Sequence, residues 1–437
     1  MKINIITLGC SKNIVDSENI AGHLRKSGYS VYFDRQRNDC DIAIVNTCGF
    51  IGDAKEESVN LLLEQVSIKK RRRKPYTIIA VGCLVERYSD ELKKEIPEID
   101  AFYGVHQWGE LIAWLDKQIN LERGTESCCN FTDLRMQSTP RHYAYLKISE
   151  GCNRNCSYCA IPLIRGKHTS RPIDSLVAEA RQLVENGAKE IIVIAQDTTY
   201  YGLDIYGKRM LGPLLDRLAE ETGAQWIRLH YTYPASFPTD ALESMASHSN
   251  ICKYIDIPLQ HINSRILNSM RRGIDREGTL ELLLAMRKKI PDVAIRTTLI
   301  VGYPGETEEA FQELKEFVRQ SRFDRMGAFV YSPEENTEAY SLGDTVDEET
   351  KQRRLDELMA VQEEIAIQKN EELIGKEIKV LIDRKEGGFF IGRSEYDSPE
   401  VDNEILVHSH PSLKTGEFYT VTVEDAVGHD LMAHVAK

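Results

Sequence analysis

Two rhythms of apolar positions alternate through the N-terminal part of the chain. Short continuous runs, Ile3 to Leu8, Asp41 to Thr47 and Thr77 to Gly82, predict strands. Between them, apolar residues recur every three to four positions over Ser17 to Lys26 and Lys55 to Ser67, which predicts helices. Such alternation predicts an α/β domain over residues 1–120, built on a parallel sheet with crossover helices. A further helical pattern covers Gly109 to Ile119. From Leu121 to Pro140 the rhythm dissolves into Gly, Thr, Ser, Asn and the adjacent Cys128 and Cys129, which reads as a linker.

Six candidate strands follow: Tyr143 to Ser149, Glu190 to Gln196, Trp226 to Tyr233, Tyr254 to His261, Ala294 to Val301 and Arg325 to Ser332. Helical patterns separate them, for example Ser175 to Asn186, Leu211 to Glu221, Arg276 to Lys289 and Glu308 to Arg319. Six β/α units are too few for a closed eight-stranded barrel. They predict an open, partial (β/α)6 barrel over residues 141–346 with its chemistry at the carboxyl ends of the strands. Asp347 to Leu373 reads as one long charged helix. Residues 374–437 then show five short runs between Gly, Pro, Asp and Asn turns, predicting a five-stranded antiparallel β-barrel of the oligonucleotide-binding-like kind.

Composition narrows the class. With 437 residues, 42% hydrophobic and 28% charged, the chain has ordinary globular values. No apolar run approaches the roughly 20 residues that cross a bilayer, and Met1 to Cys10 lacks the features of a signal peptide, so a cytoplasmic location without membrane contact is expected. The formal charge of −13 disfavours phosphate backbones and suits a basic partner. Ten cysteines in such a chain point to metal ligands or buried apolar residues rather than disulfides.

Their positions carry the chemistry. Cys152, Cys156 and Cys159 are separated by three and then two residues and follow the first barrel strand. A loop of that spacing can wrap three thiolates around one 4Fe–4S cluster, leaving one iron open. Part of a zinc site is the alternative, with His168 as the nearest further ligand. The spacing resembles the radical S-adenosylmethionine superfamily. That resemblance implies S-adenosylmethionine bound at the open iron and cleaved to a hydrogen-abstracting 5′-deoxyadenosyl radical. It also implies cofactor contacts at Tyr158, at Gln196 where the second strand ends, at Arg296 on the fifth strand, and at Gly302 and Gly305 where that strand exits.

Cys10, Cys48 and Cys83 each stand directly after an apolar run, in Leu8-Gly9-Cys10, Asn46-Thr47-Cys48 and Val81-Gly82-Cys83. Equivalent strand ends in a parallel sheet share one edge, so the three sulfurs are expected to converge on a second open cluster. Three buried structural cysteines are the alternative. Cys40, Cys252, Cys128 and Cys129 lack matching positions and read as structural.

Two such triplets followed by a small barrel resemble the methylthiotransferase family over essentially the whole chain. The segments Leu8 to Glu18, Ile148 to Cys152 and Ala195 to Gly202 look most like its ribosomal-protein aspartate branch. The resemblance implies a transferase that adds a methylthio group to the β-carbon of an aspartate in small-subunit ribosomal protein number twelve, free or in the ribosome. It further implies two 4Fe–4S clusters, S-adenosylmethionine, a sulfur donor, an electron donor and a TRAM-like substrate-binding barrel. The tRNA adenosine branch is the competing reading, and a non-catalytic iron–sulfur adaptor on the ribosome is a third. Charge separates the first two. Residues 374–437 hold seven Lys and Arg against twelve Asp and Glu, a net −5, where an RNA-binding barrel should be basic. Against this, Lys69 to Lys74 is a basic run that could contact RNA as a secondary partner, or be a solvated helix end before Pro75. Arg165 to His168 and Arg171 read either as cavity lining or as ion pairs holding a loop; His408 and His410 read as a surface pair.

Overall fold

The computed structural model describes residues 1–36, 39–118 and 134–436; residues 121–133 of the predicted linker, with Cys128 and Cys129, lie outside them. The apolar runs form strands because each carries side chains to two faces that both need cover. In β3 (Ile42–Thr47), Ile42 and Ile44 enter one core with Ile20, Leu24 and Leu111, while Ala43 and Val45 enter another with Leu62, Val66 and Leu84. Each such isoleucine, wholly removed from water, contributes about 1.5–3 kcal/mol. The sheet is completed by β1 (Lys2–Thr7), β2 (Ser30–Phe33), β4 (Thr77–Gly82) and β5 (Ala101–Tyr103), in the order β2-β1-β3-β4-β5 with every pair parallel. Its helices are α1 (Ser11–Lys26), α2 (Gly52–Arg71), α3 (Cys83–Glu95) and α4 (Trp108–Gln118). The strand order reverses between β1 and β3, where doubly wound sheets open a crevice at the strands' carboxyl ends.

Contacts divide the chain into two compact units. The first is Met1–Thr139 with Glu150–Arg154 and Cys159–His168; the second is Pro140–Ser149, Asn155–Tyr158 and Thr169–Lys437. Residues 135–139, expected as linker, are pinned to the first unit. The fully buried Glu18 carboxylate accepts from Arg135 (2.7 Å) and from the backbone and hydroxyl of Ser138 (2.6 and 2.9 Å).

In the second unit six parallel strands follow chain order: β6 (Tyr143–Lys147), β7 (Glu190–Ile194), β8 (Trp226–Leu229), β9 (Ile251–Asp256), β10 (Ala294–Val301) and β11 (Arg325–Val330). The two edge strands do not pair, so the sheet stays open as predicted. Alternate residues, Leu146, Ile191, Val193, Ile227, Ile255 and Leu299 among them, pack on the helical layer. The other face is mixed: Trp226, Cys252, Tyr254 and Ala294 form an apolar cluster with Leu381, and Glu190, Arg228 and His230 are also buried on it.

The C-terminal strands β12 (Glu377–Glu386), β13 (Phe389–Arg393), β14 (Ile405–His408), β15 (Phe418–Val427) and β16 (Asp430–Val435) close a barrel in the order β12-β13-β14-β16-β15. The fully antiparallel arrangement expected from the turns is corrected here: β14 and β16 pair in parallel. A closed ring of five cannot alternate direction all the way round, so one neighbouring pair must run the same way. The barrel core is Val380, Ile382, Ile405, Val407, Val421 and Ala433.

This barrel is joined to that face of the six-stranded sheet both by the apolar cluster, with Phe418 against Trp226, and through buried charge. Glu190 bonds Arg228 (2.6 Å) and Arg393 (2.9 Å), and Arg393 bonds Asp383 (2.7 Å), which also meets His142 (2.8 Å). The loop after β13 adds Arg325 to Asp397 (2.9 Å), Arg296 to Asp402 (3.2 Å), Tyr254 to Asp402 (2.7 Å) and Ser398 to His230 (2.9 Å). Among the described residues no helix is long and apolar enough to cross a membrane.

Candidate functional site

The crevice of the N-terminal sheet gathers one cysteine triplet. Cys10 occupies the N-cap of α1, Cys48 follows β3 directly, and Cys83 opens α3. Gly9 and Gly82, with φ of +89° and +98°, make the tight exits from β1 and β4. A methyl group on Gly9 would stand 2.8 Å from Cys48 Cβ and 3.0 Å from its Sγ, so the two loops are in contact. Asn13 braces all three strand ends. Its amide donates to Leu8 O (2.8 Å) and Thr47 O (3.2 Å), and its Oδ1 lies 3.7 Å from Cys83 Sγ. Asn46 in turn donates to Asn13 O (2.9 Å) and Ser17 Oγ (2.9 Å).

The surroundings treat these thiols unequally. Burial works against the Cys10 thiolate, but Lys12, Arg165 and the backbone N–H groups of Asn13 and Lys12 outweigh it and lower its pKa below the ordinary thiol value. Burial raises that of Cys48, against an N–H bond from Phe50, and pushes Cys83 up to about 12 despite Arg165. Among the described residues no three His, Cys, Asp or Glu side chains could hold a single metal ion. A cubane does not need such a point, since each thiolate binds its own iron. Three thiols at a sheet edge, with N–H groups and a guanidinium aimed at their sulfurs, fit such a cluster.

Of the other triplet, Cys152 and Cys159 belong to the first unit and Cys156 to the second, all three partly exposed. Cys152 N–H donates to Gly166 O (3.1 Å), and its Sγ accepts from the N–H of Arg154 (3.4 Å). Cys156 Sγ lies 3.4 Å from Arg272 Nη1 and 3.6 Å from Tyr233 Oη. Its loop is tied down by Ser157, which bonds Ser269 O (2.8 Å) and Tyr303 Oη (2.9 Å). Cys152 thus has a backbone donor and Cys156 a charged one, as cluster ligands do.

The expected cofactor contacts are placed as follows. Tyr158 packs with Tyr303, Tyr331 and Ile300, its hydroxyl 3.3 Å from Arg272 Nη1. Gln196 is half-buried just beyond β7. Arg296 spans Asp256 (3.1 Å) and Asp402, so its guanidinium already serves two carboxylates. At Gly302, with φ +75°, an added Cβ would strike Lys351 Cγ at 2.3 Å, and its N–H is held by Glu306; the open space there is filled by the chain itself. Gly305 has φ +83° and nothing beside it. Its N–H bonds Thr345 (2.9 Å) and its carbonyl Arg265 (2.8 Å).

Arg272 is a residue that sequence reasoning missed. It is buried, lies 4.2 Å over the Tyr233 ring and reaches both Cys156 and Tyr158, yet the run Met270-Arg271-Arg272 carries no local signal. The basic run near Pro75 is partly spent on structure: Lys69 pairs with Asp100 (2.6 Å), Lys70 with Glu98 (2.6 Å), and Arg72 bonds Cys40 O (2.5 Å), while Arg71, Arg73 and Lys74 are exposed. His408 and His410 are both exposed, as expected of a surface pair. His408 lies 3.1 Å from Glu424, which also meets His434 (2.7 Å). Arg171 forms an ion pair with Glu179 (2.6 Å).

Comparison with known proteins agrees with these parts. Family models match for the radical SAM superfamily at residues 146–318, for the uncharacterized protein family UPF0004 at 2–104 and for the TRAM domain at 374–436. The chain is 52% identical over 435 residues, 99% of each chain, to a ribosomal protein uS12 methylthiotransferase RimO of Phocaeicola vulgatus. It is likewise 52% identical to one of Flavobacterium psychrophilum, covering 100% of this chain and 98% of that one. Among solved structures, the radical S-adenosylmethionine methyltransferase TsrM of Kitasatospora setae shares the fold with a TM-score of 0.54 at 15% identity, over 76% of each chain. At that identity along its full length, the chain belongs to the RimO family of ribosomal protein uS12 methylthiotransferases, within the radical SAM superfamily.

Proposed function

We propose that the chain adds a methylthio group to the β-carbon of an aspartate in ribosomal protein uS12. The observation that carries this reading is the gathering of Cys10, Cys48 and Cys83 around Asn13, in a chain that also bears the Cys152, Cys156 and Cys159 loop. In this reading the first three cysteines hold a second 4Fe–4S cluster, and the other three hold the superfamily cluster at which S-adenosylmethionine docks. Bound there, the clusters would relay electrons and hold the sulfur, and S-adenosylmethionine would supply the methyl group and the hydrogen abstraction that no side chain can perform.

The chain's own residues hold and orient. Arg272 fixes Cys156 and Tyr158 together, and Tyr158, Gln196, Arg296, Gly302 and Gly305 are assigned to the S-adenosylmethionine side, the last two through backbone. The acidic C-terminal barrel, net −5, favours a lysine- and arginine-rich protein over RNA as the recognised partner. A sulfur donor and an electron donor complete the reaction, in the cytoplasm, with rRNA contact by Arg71, Arg73 and Lys74 as a secondary feature.

The test offers anaerobically reconstituted protein either uS12, free and in the small subunit, or tRNA. A gain of about 46 Da on uS12, with 5′-deoxyadenosine formed, is expected from replacing hydrogen by a methylthio group. A gain on tRNA alone would overturn the substrate, and intact clusters without 5′-deoxyadenosine would overturn the enzyme reading in favour of an adaptor.

A further inference from the structure

Arg165 ends a short helix, Ile161–Arg165, six residues beyond Cys159, and its side chain is only 2% exposed. All of its partners described here lie in the first unit. Nη2 donates to Asn13 Oδ1 at 2.6 Å and to Cys83 Sγ at 3.2 Å. Nη1 donates to Asp16 Oδ2 at 2.6 Å and approaches Glu150 Oε2 at 3.3 Å. Asp16 is itself 3% exposed, so this is a dry ion pair aimed by two carboxylates on one side and presenting its free edge to a thiol on the other. Burial opposes the charge, but Asp16 and Glu150 outweigh it and hold Arg165 protonated well beyond the ordinary range. The brace is stiff as well, because Asn13 is bonded to both strand ends.

We infer that Arg165 is a positioning residue for the cluster of Cys10, Cys48 and Cys83: its charged N–H bond to Cys83 Sγ fixes that ligand and raises the cluster's reduction potential. The inference rests on the reading that these cysteines hold a cluster. Reduction adds negative charge, and a directed donor at a ligand sulfur stabilises the reduced form more than the oxidised one. A lysine can keep the pair with Asp16, but it lacks the planar fork that reaches Asn13 and Cys83 together. An ordinary loop-holding arginine would make the carboxylate contacts without setting the potential.

The test uses the full chain carrying Cys152→Ala, Cys156→Ala and Cys159→Ala, so that any cluster signal comes from the remaining triplet. Redox titration followed by electron paramagnetic resonance compares Arg165 with Arg165→Lys and with Arg165→Gln paired to Asp16→Asn, the second change sparing the fold an unpaired buried carboxylate. The Gln–Asn variant is expected to load iron as the parent does and to shift the reduction equilibrium at least tenfold toward the oxidised form. That is a fall of about 59 mV for one electron. Arg165→Lys should shift it less. A folded, fully loaded Gln–Asn variant with an unchanged potential would overturn the inference while leaving the second cluster standing. A parent background that binds no iron would overturn both.

Discussion

Replacing Arg393 by methionine isolates what joins the C-terminal barrel to the six-stranded sheet. Arg393 is 3% exposed and lies between Glu190, which is wholly buried, and Asp383, which is 14% exposed. With Arg228 the group balances two guanidinium charges against two carboxylates; without Arg393 one negative charge is left in a dry interior. Breaking a buried pair in this way costs about 3–5 kcal/mol, against a stability of about 5–15 kcal/mol for a typical protein. At about 2.1 cal/mol/K per residue, a unit of roughly 280 residues unfolds with an entropy of about 0.6 kcal/mol/K, so the thermal midpoint should fall by about 5–8 °C. Urea and thermal unfolding followed by near-ultraviolet circular dichroism would measure the loss. Asp383→Asn in the Arg393→Met background should recover at least about 1 kcal/mol, because Asp383 is the carboxylate left without a guanidinium while Glu190 keeps Arg228. Acid gives an independent check. Although buried, Glu190 is held below the usual carboxylate pKa by Arg393 and Arg228. Its stabilisation is therefore present above about pH 4.5 and lost as the pH falls below it, so the gap between parent and variant should narrow in acid. A loss under about 1 kcal/mol for Arg393→Met, or no recovery in the double variant, would refute the argument.

Cys48→Ala and Cys156→Ala should each remove about half of the iron and sulfide, but 5′-deoxyadenosine formation should persist in the first and vanish in the second; its loss from folded, half-loaded Cys48→Ala would contradict this assignment. Gly302→Ala should destabilise the chain by about 1–3 kcal/mol in urea melts, because φ +75° and contact with Lys351 both oppose a Cβ. His230, buried against Ser398 and Tyr254, has its pKa lowered to about 3 by burial. The unfolded chain binds a proton there below about pH 6.5 that the folded chain does not, so stability should fall by about 1.4 kcal/mol per unit as the pH drops toward 4. His230→Gln should flatten that slope, and an unchanged slope would exclude His230 as its source.

What was legible in the sequence was whatever local periodicity or spacing determines. Ala294–Val301, Phe389–Arg393 and Ile405–His408 lie where the apolar runs put them, because a strand covered on one or both faces must show its cover in its residues. Ser30–Phe33 and Ala101–Tyr103 escaped: both are short edge strands, partly exposed, whose pairing is imposed by β1 and β4 rather than by their own pattern. The helix Cys83–Glu95 was also not anticipated. Gathering of the first cysteine triplet followed from topology, since residues after successive parallel strands share an edge. The partners of those cysteines did not follow. Arg165 and Cys83 are 82 residues apart, and Arg272 and Cys156 are 116 apart, distances over which only the folded chain brings a donor to a sulfur. The same holds for the barrel: its acidity could be counted, but its burial against Arg228 and Arg296 depends on a loop, Ser394 to Asp402, with no regular period.

The unavoidable mismatch in a ring of five has a mechanical meaning. Every other seam of the C-terminal barrel is an antiparallel one, whereas β14 meets β16 over only Ile405 to Val407 and in the orientation whose slanted bonds hold slightly less well per residue. The closed cylinder is therefore least firmly held along this one seam. Thermal breathing will open it there first, turning a closed wall into a curled sheet with two free margins, while the opposite side, where β12 carries Asp383 to Arg393, stays anchored to its neighbour.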